Sequence, residues 1–171
     1  MPEREAVLAE LRELHRVVDA GWAHLAARHG ERLRCRRGCA DCCVDGITVF
    51  SVEAERIRRE FPRVIDGAPA PPGRCAFLAP DGSCRVYAAR PYVCRTQGLP
   101  LRWIEEDMDL QLVEMRDICP LNEGGPSLED LPVEDCWEIG PTEERLRELE
   151  ERFTGGRPRR IALRELFVRR E

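Results

Sequence analysis

The sequence predicts a small α+β domain stapled by metal, and three observations carry that expectation. Nine cysteines occur in 171 residues, four of them inside the run Cys35-Arg36-Arg37-Gly38-Cys39-Ala40-Asp41-Cys42-Cys43. A long amphipathic segment leads into that run, and short β-prone stretches separated by Pro/Gly turns follow it. Beyond Asn122 the chain returns to helical patterning. The length suits one structural unit with three parts: an N-terminal helix over 1–34, a cysteine-cluster domain over 35–122 and a C-terminal helical extension over 123–171.

Val7, Leu8, Leu11, Leu14, Val18, Trp22 and Leu25 recur at helical spacing, which predicts one helix from about Glu3 to Arg32. Ile47-Thr48-Val49-Phe50 reads as a short strand, and Ser51 as the N-cap of a helix to Glu60, with Glu53 and Glu55 near its positive end. Asp66 to Gly73 is a loop by composition, and Pro80-Asp81-Gly82-Ser83 is a turn between two short β-prone stretches. Leu99–Ile104 and Leu110–Met115 predict a hairpin around residues 105–109. Thr142 caps a helix to Phe153, Gly155 and Gly156 stop it, and a basic amphipathic helix closes the chain.

All 27 basic residues are arginine, which removes Schiff-base chemistry, and the formal net charge of −5 gives no general pull toward nucleic acid. The charged opening residues predict no secretory signal, and no apolar run approaches a membrane span. The expected setting is the cytoplasm, where clustered thiols stay reduced and read as metal-binding or catalytic.

Cys35, Cys39 and Cys42 form C-x3-C-x2-C, a spacing that turns three sulfurs toward one centre. Cys43 points away from its neighbour, so it is expected to serve a second site, bridge two metals or remain a reactive thiol. Cys75, Cys84, Cys94 and Cys119 add four thiols, enough with the first four for two tetrathiolate sites. Their dispersal, and the ferredoxin-like Cys119-Pro120 ending, favour an iron–sulfur centre of [4Fe–4S] type over zinc. Arg90 and Arg95 flank Pro91 and Cys94 and are expected to support the centre, whose thiolates leave a charge of about −2. Cys136 reads as core, and His29 is the one histidine close enough to the run to test as a ligand. A helix and a long Pro/Gly-rich loop separate the cysteine run from the Cys75–Cys94 segment, which predicts that at least one centre takes thiolates from both.

The cysteine run, with Cys75-Ala76-Phe77-Leu78, Asp81-Gly82-Ser83-Cys84-Arg85-Val86-Tyr87 and Arg90-Pro91-Tyr92-Val93-Cys94-Arg95, resembles the YkgJ-type cysteine-cluster family. That family is also called CxxCxxCC, and its members are described as zinc- or iron-chelating proteins. The resemblance covers about residues 35–119 and implies up to eight ligating cysteines, Cys35 to Cys119. The three-residue gap after Cys35 departs from the two that the family's name implies. No settled reaction is implied. Larger relatives that methylate flagellin lysines contain a similar module, which implies a metal- or thiol-dependent enzyme as one alternative. A structural zinc module for a macromolecular partner is the other. C-x3-C-x2-C is also the radical S-adenosylmethionine spacing, but Asp41 stands where those enzymes carry an aromatic residue, and no repeated strand–helix barrel is present.

Overall fold

The computed structural model describes residues 2–167, an α+β arrangement with one long helix laid along the rest. Helix α1 (Pro2–Arg28) buries Val7, Leu8, Leu11, Val18 and Leu25 on one stripe. It ends four residues short of the expected Arg32, where His29 and Gly30 turn the chain: the Arg32 and Leu33 N–H groups both donate to the His29 carbonyl, at 2.8 and 3.0 Å. Strand β1 (Thr48–Phe50) leads directly into helix α2 (Ser51–Glu60), followed by the single turn α3 (Pro62–Ile65).

The start of α2 is held by tertiary contacts, not by the expected Ser51 cap. Phe50 is the capping residue; the Ser51 hydroxyl donates to Glu150 Oε1 (2.6 Å) and the Val52 N–H to Glu150 Oε2 (2.9 Å). Glu150 is fully buried, so a carboxylate from another helix supplies the negative charge that the N-terminus of α2 attracts. Its source is α5 (Gly140–Thr154), which packs Leu146, Leu149 and Phe153 against Val7, Leu8 and Leu11 of α1. Thr142 falls inside the first turn of α5, after Pro141; Gly155 takes the left-handed conformation (φ 68°) that ends it, as its sequence context predicts.

The short helix α4 (Tyr92–Arg95) precedes the hairpin β2 (Leu101–Glu106) and β3 (Leu112–Asp117), and β4 (Trp137–Glu138) adds a parallel edge to give the order β3-β2-β4. The hairpin lies two residues later than its sequence suggests. Asp107 sets the turn: its Oδ1 accepts the N–H groups of Asp109 and Gln111, each at 2.9 Å, and Leu110 takes φ 58°. The predicted closing helix also departs from expectation. Residues Arg160–Ala162 form β5, antiparallel to β1 with Val49 opposite Ile161, and a 3-10 turn follows over Leu163–Phe167. Ile161, Leu163 and Leu166 enter the core with Val49, Ile57 and Phe77, and that burial overrides the helical pattern. The remainder of that expected helix lies outside the described residues. Among the described residues no helix is long and apolar enough to cross a membrane.

Candidate metal centre

Two consecutive backbone turns shape the cysteine run. Cys39 N–H donates to the Arg36 carbonyl and Cys43 N–H to that of Ala40, both at 2.9 Å, so each turn ends on a cysteine. The 80–83 turn packs backbone to backbone against this run: a Cβ on Gly82 would meet the Gly38 carbonyl oxygen at 3.0 Å. That turn also lays Leu78 opposite Cys84. Cys75 N–H donates to the Cys43 carbonyl (2.9 Å), which ties together the ends of the segment that carries β1, α2 and α3. Cys94 comes in on α4, whose first N–H, from Tyr92, donates to the buried Glu53 carboxylate (2.8 Å).

All nine cysteines are free thiols, and eight of them sort into two sets. Cys35 has Cys39, Cys119 and Cys42 as its electrostatic neighbours. Cys43 has Cys42, Cys75 and Cys94 as its electrostatic neighbours, and Cys94 has Cys75, Cys84 and Cys42, so Cys42 adjoins both groups. The outer set is thus Cys35, Cys39, Cys42 and Cys119, with Cys35 and Cys42 exposed; the inner set is Cys43, Cys75, Cys84 and Cys94, with Cys75 buried. They meet where the Cys43 thiol donates to the Cys42 sulfur, which lowers Cys42 to about 6 and pushes Cys43 up. The two thiols titrate as a pair, and the hydrogen bond between them favours one thiolate shared across Cys42 and Cys43. Among the described residues no three Cys, His, Asp or Glu side chains close tightly enough to hold one ion, so the sets are neighbourhoods of thiols, not closed coordination spheres.

Burial raises the thiols of Cys35, Cys75, Cys84 and Cys94. Opposing it, Phe77 N–H donates to the Cys75 sulfur and Val86 N–H to that of Cys84, and the Arg85 guanidinium lowers both. Each of these donors stands two residues after its cysteine. Pre-aimed amides and a nearby cation favour the thiolate, and a thiolate is what soft metals bind.

Several supporting residues carry no signal in the sequence. Asn122 is fully buried; its amide donates to the Gly98 carbonyl (2.8 Å) and toward Cys35 Sγ (3.6 Å), while its Oδ1 accepts the Arg34 N–H (2.7 Å). Gly98, at φ 91°, lies so close that a Cβ there would overlap Cys35 Sγ. Cys119 and Asn122 share one 3-10 turn, so the same element offers a thiol and fixes a second one. Asp45 and Arg164 join the loops carrying Cys43 and Cys75.

Other candidate residues are placed as follows. Arg90 reaches Asp19 (3.0 Å), stacks on Tyr87 and favours the Cys84 thiolate. Arg95 is buried, donating to Asp19 (2.5 Å) and to the Ala88 carbonyl (3.0 Å), and so braces the turn that carries Cys94 against α1. His29 Nε2 donates to the Asp135 carbonyl (2.7 Å). Cys136 is buried beside Arg116, Glu114 and Arg102, apart from both thiol sets.

Neither a curated protein nor a solved structure matches the chain. A family model does, over residues 34–120, half of the chain and all eight clustered thiols; its description reads "Putative zinc- or iron-chelating domain". With that match on the residues that build both thiol sets, the chain belongs to the CxxCxxCC family of metal-binding domains.

Proposed function

We propose that the protein carries two metal centres, one on each thiol set, with an iron–sulfur centre of [4Fe–4S] type on Cys35, Cys39, Cys42 and Cys119. The observation that supports this reading is the grouping of the thiols: Cys35 has Cys39, Cys119 and Cys42 near it, Cys43 has Cys75 and Cys94, and Cys42 adjoins both groups. A C-x3-C-x2-C run completed by a distant Cys-Pro suits a multi-iron cluster, whose ligands arrive from separate segments. Bound at this partly exposed set, the cluster would supply one-electron chemistry close to solvent. Arg34, Arg36 and Arg37 line the cleft of about 490 Å³ beside Cys39 and offset the thiolate charge there. The setting is the cytoplasm, which keeps these thiols reduced.

A single zinc or iron ion is the second reading, and it applies to the inner set. The N–H donors two residues beyond Cys75 and Cys84 favour it, because a tetrathiolate ion is stabilised by amides directed at its sulfurs. That ion would act as a staple in the core.

Anaerobic purification from iron-replete cells, with iron, zinc and acid-labile sulfide measured together, tests both readings. The expected product is brown, with sulfide that Cys35→Ser removes, and with one further ion that Cys94→Ser removes. Colourless protein holding only zinc sinks the iron–sulfur assignment. Loss of all metal from either variant sinks the division into two centres.

A further inference from the structure

Resting on the two-centre reading, we infer that Arg164, which lies beyond the family match, is the positioning residue of the inner set. Its guanidinium sits between the two loops that deliver Cys43 and Cys75. Toward the first, Nε donates to both oxygens of Asp45, at 2.9 and 3.1 Å, two residues past Cys43. Asp45 also accepts the N–H groups of Gly46 and Gly73, each at 3.0 Å, so its carboxylate already touches both loops. Toward the second, Nη1 donates to the Ala70 carbonyl (2.8 Å), and Nη2 to those of Pro71 (3.2 Å) and Arg74 (2.8 Å). Arg74 immediately precedes Cys75.

The chemistry explains why arginine stands here. Pro69, Pro71 and Pro72 leave this loop short of N–H groups, so it can make little regular structure of its own. Its carbonyls must be gathered from outside, and a planar fork with five donors gathers several at once, whereas an ammonium is a point charge. The fork is itself anchored, because Leu163 N–H donates to the Ile47 carbonyl (2.9 Å) and β5 pairs with β1. The C-terminal segment thereby fixes the separation of two inner thiols without offering a ligand.

Arg164→Gln in the full chain keeps a polar side chain and loses the fork and its charge. Cadmium added to apoprotein reports each thiolate set by its own NMR resonance, assigned with Cys35→Ser and Cys94→Ser. In Arg164→Gln the inner resonance alone is expected to shift, and a chelator should remove that cadmium about 10–100-fold faster, the usual cost of losing a supporting partner. Arg164→Lys should not restore it. Linkage is reciprocal, so metal loading should slow amide exchange over residues 160–166 in the wild type and not in the variant. Unchanged inner-site release, or equal loss at both sites with a matching fall in apoprotein stability, overturns the inference. Asp45→Asn, which spares the carbonyl contacts, should show the same effect more weakly if Arg164→Gln does not fold. Wild-type protein with one cadmium resonance removes the two-centre reading, and this inference falls with it.

Discussion

The two thiol sets differ in what holds them. The inner set is part of the core: Cys75 is buried in the cluster formed by Val49, Ile57, Phe77 and Leu78, and Cys43 and Cys84 pack against it. The outer set is held by backbone turns, Gly98 and Asn122, with Cys35 and Cys42 open to solvent. A metal taken from the inner set leaves thiols among packed apolar groups, whereas one taken from the outer set leaves an irregular loop. Binding free energy is therefore expected to appear as folding free energy mainly at the inner set, and as exchangeable occupancy at the outer one.

The sharpest way to break that contrast is to delete one ligand from each set. Cys94→Ser should destabilise loaded protein on the order of several kcal/mol, and should speed amide exchange near Cys39, because Cys42 and Cys43 link the sets. Cys35→Ser should remove the outer metal at a much smaller cost in denaturant unfolding. Equal losses from the two variants would erase the distinction.

Gly98→Ala comes next. It adds a methyl group where Cys35 Sγ already lies and fixes an L side chain at φ 91°. The strain is worth about 1–3 kcal/mol, and the displaced thiol should empty the outer centre while the inner metal stays. Metal content separates the outcomes; full outer occupancy in this variant would show that Cys35 is not a ligand.

The contrast also explains which features were legible in the sequence. The cysteine run, the turn at 80–83 and α1, α2 and α5 follow from composition and period, which are local. The closing strand β5 was not legible, since Arg160-Ile161-Ala162 is strand only because β1 is there to pair with it. Likewise the wording around Cys94 singles out Arg95 but not its partners, Asp19 and the Ala88 carbonyl, which lie in other segments. Asn122 and Arg164 carry no motif, because their side chains act on backbone groups that only folding brings within reach.

Asn122→Ala tests that last point at lower cost. The variant leaves the Arg34 N–H and the Gly98 carbonyl without their partner in a buried place, worth about 1–3 kcal/mol, with outer-site affinity falling and inner-site affinity unchanged. Metal titration of each site is the check, and a fall at the inner site would refute the separation of supports.

The smallest effect near neutral pH concerns the scaffold behind the inner set. His15 is buried, with Arg56 Nη1 donating to its Nδ1 (2.6 Å) and its Nε2 facing Glu53 Oε1 (3.3 Å). Because Nδ1 accepts from a guanidinium, the ring proton sits on Nε2 and a second proton would face the cation. Burial lowers the His15 pKa below 6.5, with the charges of Arg95 and Arg56 acting the same way and Glu53 opposing them. The unfolded chain therefore takes up a proton that the fold refuses, so this contribution to stability is complete above the unfolded pKa and lost as pH falls below it. The slope is at most about 1.4 kcal/mol per pH unit for one group. Glu53 also holds the Tyr92 N–H at the start of the turn carrying Cys94, so acid should loosen the inner set before the outer. Unfolding of apoprotein at neutral and mildly acidic pH removes metal–proton competition from the comparison. His15→Gln, which can donate to Glu53 and accept from Arg56 without titrating, should flatten the slope, and an unchanged slope would exclude His15 as its source.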